Sequence, residues 1–493
     1  MRILALSILA GFLLLGCAKK QTELVFDVNF PRLGSESSLR TTDLNGDGIK
    51  DIVLGAGENE YVETAQGILA LDGSSGEVLW QQAAKDLVFG SATFIDVNRD
   101  GVDDVFIGGR RCIFKGIDGK TGELLWTYDP DQYADDSVLG HAHLNFYNSQ
   151  VIPDQNNDGI GDLLVQNGGN PTIGPGIWKG RIAGILLIIN PLDGSIIAGD
   201  TMPDGMESYM SPLAFQQKGD DEYSVIFGSG GETFGGSLFL AKLSDLRNNN
   251  LGNARILVTE EDHGFIAPPV LVDINQDDYL DIVAISHAST AFAIDGRNFE
   301  ILWKTRIDSS ECSNSFAVGN FTDDRIPDFF TFVSKGEWPN NTGSLQILLD
   351  GKDGSIQYQN TLGCTGFSSP VAYDLNGDGR SEAIISINEF DCEQGFSGDI
   401  GEIENKLIAI DFANGTEYVI DSKKRFKNIF TTPWIGDLDN DGYLDIIHCQ
   451  YFHSTPYITA FLGLEVKRIS THIKMKSEAL WGGYMGSGGD GIF

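Results

Sequence analysis

Seven stretches of this chain set oxygen-bearing side chains at the first, third, fifth and ninth positions of a nine-residue segment. Six are strong: Asp43, Asn45, Asp47 and Asp51; Asp96, Asn98, Asp100 and Asp104; Asp154, Asn156, Asp158 and Asp162; Asp273, Asn275, Asp277 and Asp281; Asp374, Asn376, Asp378 and Glu382; Asp437, Asp439, Asp441 and Asp445. The seventh, with Asn320, Thr322, Asp324 and Asp328, is weaker, and Arg325 adds a cation to it. Side chains alternating in this way converge on one point, which suits a hard cation. Calcium takes six to eight oxygens at about 2.3–2.6 Å from a flexible loop, carboxylates, amide oxygens and a backbone carbonyl together. In the copy that begins at Asp96 the carbonyl is that of Val102, and Gly101 permits the bend. An EF-hand also needs a Glu at its twelfth position and flanking helices. Here the twelfth position is Ile107, inside a run of strand-forming residues, so Asp104 at position nine closes the set. Such ions are structural, because nothing in the motif arranges a water for attack.

The elements that must position these loops are strands. Each loop lies between two short apolar runs, and the copies recur about every fifty residues, the spacing of a repeat architecture. Between residues 154 and 273 the interval doubles and hides a copy at 211–228, where the strand, turn and strand order persists without the ligand pattern, so no metal is expected there. A second motif alternates with the first: Leu69 to Trp80 around Asp72-Gly73, Gly116 to Trp126 around Asp118-Gly119, and Ala293 to Trp303 around Asp295-Gly296, with weaker copies at Asn190, Asp350 and Asp411. Two apolar strands joined by an Asp/Gly turn make a hairpin. Four antiparallel strands repeated eight times predict an all-β, eight-bladed β-propeller, which avoids exposed sheet edges by closing into a ring. Residues 24–473 form it, 474–493 are a tail that packs on it or is disordered, and 22–28 or 464–469 supplies the closing strand. Trp80, Trp126 and Trp303 occupy equivalent places in the repeat and are expected to pack between blades.

Composition narrows the partners. A formal net charge of −36 over 493 residues argues against nucleic acid and against an anionic membrane surface. Residues 1–17 read as a signal peptide, with Arg2, an apolar run too short for a comfortable span, and Leu14-Leu15-Gly16-Cys17. This end resembles a bacterial lipobox, which implies a lipid on Cys17, a tether over 18–23, and a place in the cell envelope, at the outer membrane on its periplasmic or outer surface. Of the other cysteines, Cys364 is able to pair with Cys392 or with Cys312, although buried single thiols are the default expectation.

The Asp-rich loops resemble the FG-GAP (VCBS-type) repeats of integrin α-subunit propellers and related bacterial proteins, most closely at 89–109. The Asp-Gly…Gly-Glu…Trp hairpins resemble the repeats of pyrroloquinoline-quinone (PQQ) enzymes and of the propeller lipoprotein that assists outer-membrane protein assembly. A PQQ enzyme is also expected to carry a vicinal disulfide, and no two cysteines here are adjacent. By the same resemblance, ligands bind at the channel mouth opposite the metal loops. That face would receive His141, His143 and Asn145, Glu207 and Tyr209, His263 and Phe265, Glu311 and Asn314, and His287, His448 and His453, with long connections at 58–66, 167–181, 230–236, 336–342 and 389–404. His141 and His143 would lie on one side of a strand, where His263 could join them around a metal.

No nucleophile elbow, phosphate loop or Ser/His/Asp grouping is present in the sequence, and no catalytic residue is assigned. The expected protein is a monomeric, calcium-stabilised, lipid-anchored propeller that binds a protein or glycan without chemistry. Its rivals are a carbohydrate-active enzyme of polysaccharide-lyase type at the channel mouth, and a scaffold for outer-membrane assembly. If divalent ions hold the Asp-rich turns, chelator-treated protein will melt at a lower temperature than calcium-loaded protein; equal melting temperatures would reduce the motif to ordinary turns.

Overall fold

A computed structural model describes residues 22–174, 176–337, 341–364, 366–392, 402–452 and 461–493. Eight antiparallel sheets follow one another along the chain, each built on four strand positions. They are blades 1 (40–84), 2 (93–127), 3 (145–201), 4 (213–260), 5 (270–306), 6 (310–360), 7 (371–424) and 8 (426–474 with 23–31). The fold is an eight-bladed β-propeller.

Burial explains the strand patterns. Blade 2 is representative: its second strand, Asp104–Gly109, is buried along its whole length, whereas its fourth, Leu124–Thr127, exposes every residue except Trp126. A central strand is covered on both faces by the neighbouring blades and so reads as an unbroken apolar run, whereas an outer strand keeps one covered face. The metal-type loops join first to second strands on one side of the ring, and the Asp-Gly turns join third to fourth strands on the same side. Blade 4 keeps this order without the ligand pattern, as expected from the sequence.

Ring closure falls to the N-terminal strand. Glu23–Pro31 pairs antiparallel with Gly463–Lys474, Phe26 opposite Arg468 and Val28 opposite Val466, and becomes the outer strand of blade 8. Residues 464–469 are the third strand of the same blade, so the two segments are partners rather than competitors. The tail beyond Lys474 turns into the channel. Its backbone joins blade 7 (Ala372 N to Trp481 O, 3.0 Å), blade 8 (Ile435 N to Gly482 O, 2.7 Å) and blade 5 (Leu271 N to Gly491 O, 2.8 Å). Trp481 is 1% exposed there, and a channel cavity of about 700 Å³ beside the tail is lined by Arg40, Asn148, Gln150 and Tyr223. Cys364 and Cys392 form a disulfide, a departure from the default expectation of single thiols. Their Cα atoms stand 5.1 Å apart, a separation the bond requires. Cys112, Cys312 and Cys449 are buried free thiols.

Blades are locked by their tryptophans. Trp80 Nε1 donates to Gly119 O (2.6 Å), Trp126 to Pro191 O (2.7 Å) and Trp303 to Gly351 O (2.8 Å), each time reaching the turn of the next blade. A Cβ on Gly119 would meet the Asp103 carbonyl at 1.8 Å, so the turn lies against the backbone of its own sheet. Urea denaturation should therefore show Gly119→Ala destabilised by about 1–3 kcal/mol and Trp80→Ala by about 3–5 kcal/mol. Unchanged midpoints in both would mean that this contact does not hold the ring.

Candidate functional site

Two parts of the molecule carry the residues singled out in the sequence: the Asp-rich loops on one side of the ring and the channel mouth on the other. In the loops, the first-position carboxylate accepts backbone N–H groups from within its own turn. Asp96 takes those of Asp100 (3.1 Å) and Gly101 (3.0 Å), and Asp43 takes those of Gly46 (2.7 Å) and Gly48 (3.0 Å). Third-position Asn98 accepts from Asp100 N, and fifth-position Asp100 accepts from Val102 N. The sixth residue is left-handed throughout, at φ +87° for Gly101 and still at φ 71° for Asp278 and 69° for Arg325, where glycine is missing. The loop conformation therefore survives where its most tolerant residue is absent. Asp437, Asp439 and Asp441 bring three carboxylate oxygens within 4.8 Å of one another.

The ninth-position carboxylate has a second task. Asp51, Asp104, Asp281 and Asp328 are buried at the start of their second strands. Asp104 accepts Val97 N (3.0 Å) and Asn98 N (3.3 Å) from the metal-type loop and Gly119 N (3.2 Å) from the Asp-Gly turn. The same arrangement links Asp51 to Gly73, Asp281 to Gly296 and Asp328 to Gly351. Burial raises Asp51, Asp162, Asp328 and Asp445 to about 6 and Glu382 to about 7. Blade 3 breaks the pattern, because Pro191 stands where blades 1, 2, 5 and 6 have glycine and has no N–H to offer. Asp162 Oδ1 is accordingly buried without a hydrogen-bond partner beside Asp154 and Asp158. In blade 8 there is no such turn, and Arg468 replaces it, donating to Asp439 Oδ2 (2.5 Å), Asp445 Oδ2 (2.8 Å) and Gly73 O (3.0 Å).

At the mouth, the segments leading into the inner strands form a continuous rim. Gly230 N donates to Glu207 O (2.8 Å), Gly264 N to Gly231 O (3.0 Å), His287 N to Gly264 O (2.9 Å) and Cys312 N to His287 O (2.9 Å). Glu207, Tyr209, His263, His287 and Glu311 thus occupy successive places on one arc over blades 4 to 6. Arg181 Nη1 donates to Glu207 Oε2 (2.5 Å) and to Tyr209 Oη (2.9 Å), and Tyr209 Oη donates to Glu207 Oε2 (2.9 Å). Burial pushes the Tyr209 phenol well above its ordinary value, and the neighbouring Glu207 carboxylate reinforces the shift. Further round the arc, Arg110 bridges Glu36 (3.5 Å) and Glu60 (2.5 Å) and lies over the Phe89 ring at 5.8 Å.

Three sequence expectations are corrected. Residues 139–141 form a 3₁₀ turn, with Asp136 accepting Val138 N and Leu139 N just before it, so His141 and His143 do not share the side of a strand. Both are exposed, and His263 faces His287 and Glu311 instead. His448 belongs to the second strand of blade 8, where it is buried 3.1 Å from Asp421 of blade 7, away from the rim. His453 and Cys17 lie outside the described residues. Sequence reasoning did not single out Arg181, Arg110 or Glu36; for Arg181 the available signal was a cation inside a long connection of a strongly acidic chain.

No protein-family model matches the chain. Among curated proteins it is similar to human Protein FAM234B, 20% identical over 381 residues, which is 71% of this chain and 56% of that protein. The chain therefore spans little more than half the length of that relative. Solved structures share the propeller. A quinohemoprotein alcohol dehydrogenase from Comamonas testosteroni matches with TM-score 0.52 at 10% identity, covering 93% of this chain and 77% of that one. Rhamnogalacturonan lyase YesW matches with TM-score 0.52 at 12% identity, covering 92% and 74%. BamB from Moraxella catarrhalis matches with TM-score 0.49 at 11% identity, covering 91% and 100%. At these identities the likeness is one of fold.

Glu36 provides a pH test of the rim. Its side chain is 6% exposed, and burial, aided by Glu60 and opposed by Arg110, raises it from 4.5 to about 7. A raised carboxyl contributes stability that is full below its unfolded value and is lost as pH rises through the folded one. The stability of the native protein relative to Glu36→Gln should therefore fall between about pH 4.5 and pH 7. A flat difference in melting temperature across that range would show that the carboxyl is solvated.

Proposed function

We propose that this chain is a calcium-stabilised propeller of the cell envelope, anchored by a lipid on Cys17, that recognises a protein or glycan through its channel-mouth face without chemistry. The observation that carries the reading is the joining of three long connections into one surface. Tyr61 Oη donates to Pro171 O (2.9 Å), Gly176 N to Thr233 Oγ1 (3.2 Å), Trp178 meets Phe234 edge-on at 5.1 Å, and Arg181 lies over Phe234 at 5.4 Å. The surface presents Tyr61 (46% exposed), Ile177 (53%) and Trp178 (45%) beside the polar rim. Exposed aromatics on variable loops over a rigid scaffold are the usual material of binding hot spots.

Calcium would be held by the first-, third-, fifth- and ninth-position oxygens of the Asp-rich loops. Their donor chemistry fits a hard cation, and blade 3 adds the unpartnered Asp162 Oδ1. Bound ions would offset the crowding of carboxylates on that side of the ring.

A second reading has its own support. Glu207, Tyr209, Arg181, His263, His287 and Glu311 gather on one arc, an arrangement suited to acid–base work on a polysaccharide, and a lyase is among the proteins that share this fold.

Glycan-array and envelope-protein binding assays on the native protein and on Tyr61→Ala/Trp178→Ala separate the two. Loss of roughly thirtyfold or more in affinity, the size of a hot spot, with no turnover is the expected result. Polysaccharide cleavage that Tyr209→Phe abolishes would replace the binder with the enzyme.

A further inference from the structure

Among the Asp-rich loops, the one in blade 8 departs from its fellows at the third position. In blades 1, 2, 5 and 7 that residue is asparagine, and its Nδ2 ties the ninth-position carboxylate to the aspartate that opens the turn between third and fourth strands. Asn98 Nδ2 donates to Asp104 Oδ1 (3.3 Å) and to Asp118 Oδ2 (3.0 Å), and Asn45, Asn275 and Asn376 make the same two bonds. Asp439 has no proton to give, and a second carboxylate beside the buried Asp445 calls for a cation. Arg468 supplies it. Its side chain is 4% exposed, its Nη2 stands 2.5 Å from Asp439 Oδ2 and 2.8 Å from Asp445 Oδ2, and its Nη1 reaches Gly73 O of blade 1 at 3.0 Å. Gly73 N in turn donates to Asp51 (3.0 Å), so the guanidinium joins the buried carboxylates of the last and first blades. The loop itself also touches blade 1, where Asn440 Nδ2 donates to Gly48 O (2.8 Å) and Leu438 O accepts from Lys50 N (3.0 Å).

We propose that Arg468 is the resident cation of the blade 8 loop, closing the ring without calcium and keeping the ion out while it is in place. Asp437, Asp439 and Asp441 bring carboxylate oxygens within 4.8 Å of one another, the convergence that a hard cation requires. Yet the third and ninth ligand positions are engaged by the guanidinium, at separations close to the distance of about 2.3–2.6 Å at which calcium takes its oxygens. A divalent ion in the loop would stand a few ångströms from a buried positive charge that does not deprotonate, and like charges at that distance repel. Blade 3 is the opposite case. Its Asn156 Nδ2 turns to Asp158 Oδ2 (2.8 Å), and the ninth-position Asp162 keeps Oδ1 buried without a hydrogen-bond partner. That loop leaves a place for an ion, whereas the blade 8 loop has filled its own. The contrast with blade 3 rests on the calcium reading above; the Arg468 latch does not.

Hydrogen exchange on the full chain, in calcium and in a calcium chelator, reads each loop separately. In the native protein, residues 437–447 and the paired segments 23–31 and 463–470 should keep their protection in chelator, while residues 154–165 exchange about tenfold faster. In Arg468→Gln the blade 8 segments should exchange about tenfold faster in chelator and recover when calcium is added, and the variant should take up one more equivalent of calcium than the native protein. Folding of the variant in calcium alone is the same result in stronger form. Should Arg468→Gln fold in neither condition, the native comparison decides alone. A native blade 8 loop that loosens in chelator, variant segments that stay protected there, or variant segments that calcium fails to restore while it protects blade 3 would each overturn the proposal. Blade 3 protection that ignores calcium would instead remove the calcium reading, and native protein against Arg468→Gln in chelator would then decide the latch.

Discussion

The structure depends on a buried carboxylate at or near the start of the second strand, present in every blade but blade 4, where Ser224 stands instead. In blades 1, 2, 5 and 6 its oxygens take backbone N–H groups from two different turns, the Asp-rich loop and the Asp-Gly hairpin. A buried charge is costly unless it is fully hydrogen-bonded. Here it is, and the same bonds fix the position of both turns relative to the sheet. Burial still leaves these groups with raised proton affinity, which is the residue of that cost.

From this staple the ring is assembled. Gly119 donates its N–H to Asp104 within its own blade and offers its carbonyl to Trp80 of the blade before; Gly351 does the same between Asp328 and Trp303. One glycine residue thus joins intrablade order to interblade packing. Where the sequence lacks a part, another group fills the place. Gln217 of blade 4 reaches Leu280 O (2.7 Å) and Gly296 O (3.5 Å), since that blade has no tryptophan on its outer strand. Arg468 of blade 8 reaches Gly73 O, and Phe26 lies where a Cβ on Gly76 would meet it at 2.8 Å. The seam between first and last blades is closed by the same geometry with different chemistry.

Order on the staple side leaves the opposite face free to vary. Its connections differ in length and composition from blade to blade, and the strands beneath hold them rigidly. Successive hydrogen bonds between Glu207 and Cys312 string residues from three blades into one rim. The tail enters from the staple side, where Lys476 donates to the Gly377 carbonyl (2.8 Å), and binds blades 5, 7 and 8 from within.

The sequence by itself determined what is periodic. The propeller, its eight repeats, the hairpins, the Asp-rich turns and the packing role of the tryptophans follow from patterns that recur, because a repeating local geometry demands repeating residues. The mouth was legible only in part. Glu207, Tyr209, His263, His287 and Glu311 could be assigned to a face from their place in the repeat, yet nothing in their spacing paired His263 with His287 or Arg181 with Glu207. His141 and His143 looked like a pair and are not one, because the chain makes a 3₁₀ turn at 139–141 where alternation suggested a strand. Rim contacts join residues from different blades, and their distances are set by the radius and closure of the ring. Only the tertiary structure decided them, since no local pattern encodes where a circle of sheets brings its loops together.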